Sequence, residues 1–366
     1  METPIEIQKG FFQPICNEQE IERIFNVQNA SDYLLKLRAE TIVDHMRLFR
    51  VYRNKALAKG SDWSLENSFI NLHYNNAKFH LPEDLKKLCD SVTHGNIFSN
   101  EPNGLIFKTE FGVISTISDS LRYFIEFMNL GLLNFGKKVP IKIQLNGIRI
   151  ALRIMLETEA LDFLMDPRGI IPTKIQQKMY SSVPFIMQFI AGHEYAHLLL
   201  GHLDDKKTIK KHMLKAVFKS QNDYKLLDVY NTSQQNEFDA DVASINLPNY
   251  GQQEKMFVFE GALMWYAFLD IYEGVEHSIF PPVGYQSHPT ARERYFNLLN
   301  KVETYPGFEY EYWEKLLPKG IEQYRNLFID EVGFNIEFYE MSGSAYLDKP
   351  NTKWRGKELI DRVDYY

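Results

Sequence analysis

Cysteine is scarce. The 366 residues contain two, Cys16 and Cys89, far apart and in no CxxC or other paired spacing. That argues against a disulfide framework and suits a reducing compartment. An excess of positive charge is also missing. The net charge is −7 and the isoelectric point is near 5.9, which offers no general attraction to nucleic acid. Long hydrophobic runs are absent too. The longest, "MFVFEGALMWYAFL" at 256–269, carries Glu260 and falls short of the roughly 20 residues a spanning helix needs. The opening "METPIEIQKGFFQPICNEQE" lacks the basic start and apolar core of a secretory signal. No repeat or low-complexity tract occurs. These absences predict a soluble, cytoplasmic protein with no membrane insertion and no nucleic-acid partner.

Aromatic residues are plentiful, with 26 Phe, 21 Tyr and 4 Trp, and the length allows a sizeable core. Residues 31–59 read as a helix with Ser31 at its N-cap and Gly60 at its end. The basic run "RLFRVYRNKALAK" within it reads as a solvated face, because aromatics do not interleave as a base-stacking surface requires. Residues 61–93 are helical in pieces. "NGLIFKTEFGVISTIS", 103–118, reads as two strands around a turn near Phe111–Gly112, and "SDSLRYFIEFMNLGLL" as an amphipathic helix. "KVPIKIQL", 138–145, alternates like a further strand, and 148–165 reads as a strong helix closed by "DPRGIIP".

Helices are expected at 183–202, from Ser233, over about 252–275 and from Thr290. One or two aromatic helices and a polar tail follow. The expected class is α+β, mostly helical, with a small sheet. Three units are expected. Residues 1–170 form a helical region with the sheet, 171–303 a catalytic core, and 304–366 a helical extension and tail. The boundary after the first lies near 166–175.

One stretch stands out: "AGHEYAHLLLGH", 191–202, places three histidines and a glutamate in apolar helical surroundings. His193, Glu194 and His197 form HExxH. Residues four apart share a helix face, so two imidazoles can close on one metal ion while Glu194 takes a proton from a metal-bound water. Satisfied core histidines are the alternative, and His202, outside the pair spacing, reads that way. About forty residues later comes "NEFDADVAS", 236–244. Glu237 and Asp241 again lie one turn apart. Glu237 completes a His₂Glu set, and Asp241 can accept the remaining N–H of a ligand histidine. Taken alone, the same acidic turn could be a solvated helix start favoured by the helix dipole.

HExxH followed by NExxAD resembles the gluzincin metallopeptidases. The resemblance implies a zincin-like core and one zinc ion per chain. It makes His193, His197 and Glu237 the ligands and Glu194 the general base, with Asp241 and Asn236 behind the ligands. The pair of motifs also resembles the ImmA/IrrE-type and Lit-type bacterial peptidases. "SHPTARER", 287–294, resembles the HP…R element of the HtpX-like peptidases, here His288 and Arg294. The likeness covers about 110 residues, 185–295. HtpX-like proteins are usually membrane-embedded, whereas this chain has no spanning run. ImmA/IrrE-type proteins usually have a shorter gap between the motifs.

The function implied is an endopeptidase acting on specific intracellular proteins. His288 or Tyr285 is the expected donor to the oxyanion, although His288–Pro289 also suits plain helix-entry punctuation, with Thr290 and Glu293 as a capping box. Tyr195 is expected in the core. The edge strand for a bound peptide is expected from 103–118 or 138–145. The lysine-rich 206–225 reads as a solvated face, with recruitment of an acidic partner as the alternative. A non-catalytic sensor on the same scaffold, or a zinc hydrolase of another substrate, are the competing readings.

Overall fold

The computed structural model describes residues 5–99, 103–203, 233–282 and 288–348, plus the backbone of four short strands at 208–212, 226–230, 353–354 and 357–358. The chain is mostly helical with a small sheet, the α+β class expected.

Four helices come first: α1 (Ile5–Phe12), α2 (Glu18–Phe25), α3 (Ala30–Asp44) and α4 (Met46–Lys59). The expected single helix over 31–59 is therefore two. His45 adopts an extended conformation (φ −114°, ψ 99°) and its ring Nδ1 accepts the Leu48 N–H, ending one helix and capping the next. Asn29, rather than Ser31, caps α3 by accepting from Asp32 N at 3.0 Å, and the Ser31 hydroxyl instead donates to Glu66. Gly60 ends α4, as expected.

Helices α5 (Leu72–Phe79) and α6 (Glu83–Asp90) lead into three strands, β1 (Thr93–Ile97), β2 (Gly104–Thr109) and β3 (Gly112–Ser118). The β2–β3 hairpin matches the expectation. β1, "THGNI", is too polar to read as a strand. It pairs parallel to β3 and lies under α3, where a Cβ on Gly95 would fall 2.2 Å from Arg38 Nη2. Arg38 donates to the Asn96 carbonyl there.

α7 (Ser120–Leu132) packs on α8 (Ile141–Met155). The strand expected at 138–145 is thus the start of a helix. Pro140 has its φ set for helix entry, and Leu145, Ile148, Leu152 and Met155 recur at helical spacing toward the core. The helix expected over 148–165 stops at Met155. Beyond it the chain turns at Glu157 (φ 59°) to build a buried ion cluster. Arg168 pairs with Glu159 at 2.7 Å, Asp162 at 2.7 Å and Asp166 at 2.8 Å, and Arg153 and Arg47 pair with Glu159 and Asp162. A straight helix could not bring three carboxylates around one guanidinium.

α9 (Thr173–Tyr180), α10 (Val183–Leu199), strands β4 (Thr208–His212) and β5 (Leu226–Tyr230), α11 (Gln234–Asn246), α12 (Gln252–Ile279), α13 (Ala291–Lys301), α14 (Leu317–Glu340) and strands β6 (Lys353–Trp354) and β7 (Lys357–Glu358) complete the order. The main sheet runs β1-β3-β2-β5-β4, so the 103–118 hairpin, expected to offer a peptide its edge, is interior, with β1 and β4 outermost. β5 meets β2 antiparallel at Phe107 and Val229. The principal core extends from Tyr74 to Leu347 and so draws on both sides of residues 166–175. A second core lies within α1–α4, and a third joins α3 to the sheet. Among the described residues no helix is long and apolar enough to cross a membrane.

Candidate metal centre

α10 is apolar on nearly every side, with Ile186, Phe189, Ile190 and Tyr195 buried, and so runs through the core. Pro184 sits in its first turn, where a missing N–H costs nothing. Toward its end it presents His193 and His197 on one face, 8% and 4% exposed. α11 begins at Ser233, whose hydroxyl accepts from Asn236 N, as the expected helix start requires. It presents Glu237 and Asp241, both buried. The two helices meet through Ala196, Ala240 and Ala243, side chains short enough to let the backbones approach.

His193 Nε2 and His197 Nε2 stand 3.1 Å apart. Glu237 reaches His193 Nε2 at 3.5 Å through Oε2 and His197 Nε2 at 3.6 Å through Oε1. The three donor atoms all lie within 4.8 Å of one another. Bonds of roughly 2.0–2.1 Å at tetrahedral angles place ligand atoms about 3.3 Å apart. The observed separations lie on both sides of that value, so the residues present fit a small divalent ion.

The outer ring nitrogens are already engaged. His193 Nδ1 lies 2.9 Å from Asp241 Oδ1, and His197 Nδ1 lies 3.0 Å from His202 Nδ1. The Asp241 carboxylate can only accept, so it keeps a proton on His193 Nδ1, whereas in the pair of His197 and His202 either ring can donate. Asp241 is itself held. Tyr266 of α12 donates to Oδ1 at 2.6 Å, and Arg294 of α13 donates to Oδ2 at 2.8 Å and Oδ1 at 2.6 Å. Arg294 Nη1 also lies 3.1 Å from Glu237 Oε2, with the guanidinium 4.8 Å from the Tyr266 ring.

Charge follows this geometry. Burial pushes the Asp241 carboxyl up, but Arg294 outweighs it and holds the group below the usual carboxylate range. Glu237 is likewise held well below that range, burial being outweighed by His193, His288 and Arg294. Burial opposes charge on both His193 and His197. Asp241 and Glu237 overcome it at His193, whose pKa is raised. At His197 burial prevails, and the neighbouring His193 adds to it, so its pKa is lowered.

Glu194 lies buried against the sheet. A methyl group on Gly104, at the start of β2, would fall 2.5 Å from Glu194 Oε1. Gly104 is therefore the only residue type that leaves the carboxylate in this place. His288, half exposed, has its Nδ1 3.5 Å from Glu237 Oε1. Asn236 contributes its backbone N–H to the Ser233 cap. Tyr195 is in the core. Thr290 and Glu293 form the expected capping box of α13. Tyr285 and most of the lysine-rich 206–225 lie outside the described residues.

Sequence reasoning brings together His193, Glu194, His197, Glu237, Asp241 and Arg294. It misses Tyr266, Gly104 and the part played by His202. His202 had a signal, being a third histidine in the same apolar run. Tyr266 had none, one aromatic among many in α12. Comparison with family models, curated proteins and solved structures finds no match to this chain.

Proposed function

We propose that the protein is a zinc-dependent endopeptidase of the gluzincin type, with a zincin-like core resembling the ImmA/IrrE-type and Lit-type peptidases. The observation that carries this reading is the His193–His197–Glu237 donor set at near-tetrahedral spacing, backed by Asp241. His193, His197 and Glu237 would hold one zinc ion. When bound, that ion lowers the pKa of a water and polarises a carbonyl. Glu194, carried by α10 and pressed against β2, would accept the water's proton and deliver it to the leaving amine. His288, exposed beside Glu237, would donate to the developing oxyanion. Asp241, Arg294 and Tyr266 hold the ligands in place. The N-terminal region supplies β2 and, at Gly104, the surface on which Glu194 rests. Two buried, unpaired cysteines support work in a reducing cytoplasm on intracellular proteins.

Glu194→Gln tests the reading. The variant keeps its zinc and loses cleavage of host proteins by about 100-fold or more, scored as new protein termini in cells expressing each form. Equal sets of new termini from wild type and variant would leave a zinc-binding protein without peptidase activity.

A further inference from the structure

α12 touches the centre through Tyr266. Seven residues on, two helical turns along the same face, stands Glu273. Both of its carboxylate oxygens accept the Ala291 N–H, at 3.0 and 2.9 Å. Ala291 is the first residue of α13, and its N–H is one of those a helix cannot satisfy within itself. Glu293 serves a neighbouring donor, accepting from Thr290 N at 2.9 Å. Arg294 follows directly. Its three contacts with Asp241 and Glu237 span 2.6–3.1 Å, a range that a small shift of α13 would break.

We propose that Glu273 is a positioning residue for the metal centre: it fastens the first turn of α13 to α12 so that Arg294 meets Asp241 and Glu237. Glu273 touches neither ligand nor metal position. α12 then acts as a ruler with two marks. Tyr266 fixes Asp241 directly, and Glu273 fixes the helix that brings Arg294 to the same carboxylate. Glu273 has no other evident reason to be where it is. It is half buried, with Asp270 and Glu276 of its own helix nearby, and burial pushes its carboxyl up to about 7 while the Ala291 N–H and Arg294 pull it back. The surrounding cations are occupied elsewhere: Arg325 of α14 and Arg292 of α13 both face Asp270. A carboxylate in such company is costly unless its hydrogen bond to α13 is needed.

This inference rests on the zinc-site reading, and the experiment separates the two. Zinc affinity is measured by chelator competition on the full chain, with the melting midpoint of the metal-free protein as a check of folding. Glu273→Ala weakens zinc binding about tenfold, the low end of what loss of a supporting partner costs. Glu273→Gln, which keeps an oxygen to accept from Ala291, restores most of the affinity. Glu273→Ala combined with Arg294→Ala binds zinc no more weakly than Arg294→Ala alone, because both act through one contact. If Glu273→Ala does not fold, Glu273→Asp, whose shorter stem cannot reach Ala291, takes its place with the same expectation. Wild-type affinity in the Ala or Asp variant, or losses that multiply in the double variant, would overturn the proposal. A wild type that binds no zinc would instead overturn the reading beneath it.

Discussion

At the residue scale the proposed chemistry rests on Glu194 and Gly104. A general base must be held within hydrogen-bond reach of the proton it takes, and the missing side chain at Gly104 provides the space in which Glu194 rests against β2. Gly104→Ala places a methyl where Oε1 now lies, so Glu194 must turn away. Activity is expected to fall about 100-fold while zinc content stays at one per chain, because neither His193, His197 nor Glu237 contacts the new methyl. Steady-state cleavage and metal analysis of the same preparation check this, and loss of zinc together with activity would contradict it. At this scale the sequence is unusually readable. HExxH and NExxAD name their own geometry, since both depend only on helix periodicity. Gly104, Tyr266 and His202 do not announce themselves, because their parts depend on what the fold brings beside them.

The element scale turns on the contact between α10 and α11. Ala196, Ala240 and Ala243 set the distance at which Glu237 meets two imidazoles. Ala196→Leu overfills that contact. It is expected to cost about 1–3 kcal/mol in stability and to weaken zinc binding by about tenfold or more as α11 is pushed outward. Denaturant unfolding of the metal-free protein and chelator competition report the two effects. Unchanged zinc affinity would mean that the helices are spaced by something else. Elements were legible where their signals were local: the Ser233 cap, the capping box at Thr290, the turn of the β2–β3 hairpin. They were misread where a tertiary demand prevailed. The alternation in 138–145 coexists with a helical pattern, and only burial against α7 chooses between them. The helix expected through 165 gives way at Met155 because the carboxylates of Glu159, Asp162 and Asp166 must surround Arg168.

For the whole molecule, acid sensitivity follows from histidines kept neutral inside. Burial lowers both His73 and His94 to about 4. His73 meets Asn96 at 2.8 Å, and His94 packs tilted against Tyr74 and edge-on to Tyr195. The unfolded chain takes up these protons near pH 6.5 and the folded one near 4. Their contribution is therefore fully present above pH 6.5 and is lost as pH falls toward 4. Glu126, which burial raises to about 6, works in the opposite direction, so the test is a difference. His94→Phe keeps the ring packing and removes one titration. The melting midpoint of the variant is expected to fall less steeply than that of wild type between pH 6.5 and 4.5. Parallel curves would show that His94 is not held neutral.

The account depends most on one ion held by two helices. X-ray absorption at the zinc edge, on protein loaded with one equivalent, measures that directly. Two imidazole nitrogens and at least one carboxylate oxygen at roughly 2.0–2.2 Å are expected, with the oxygen set altered in Glu237→Ala and the nitrogen count reduced in His193→Ala. A zinc spectrum unchanged by both substitutions would place the ion elsewhere and contradict the account.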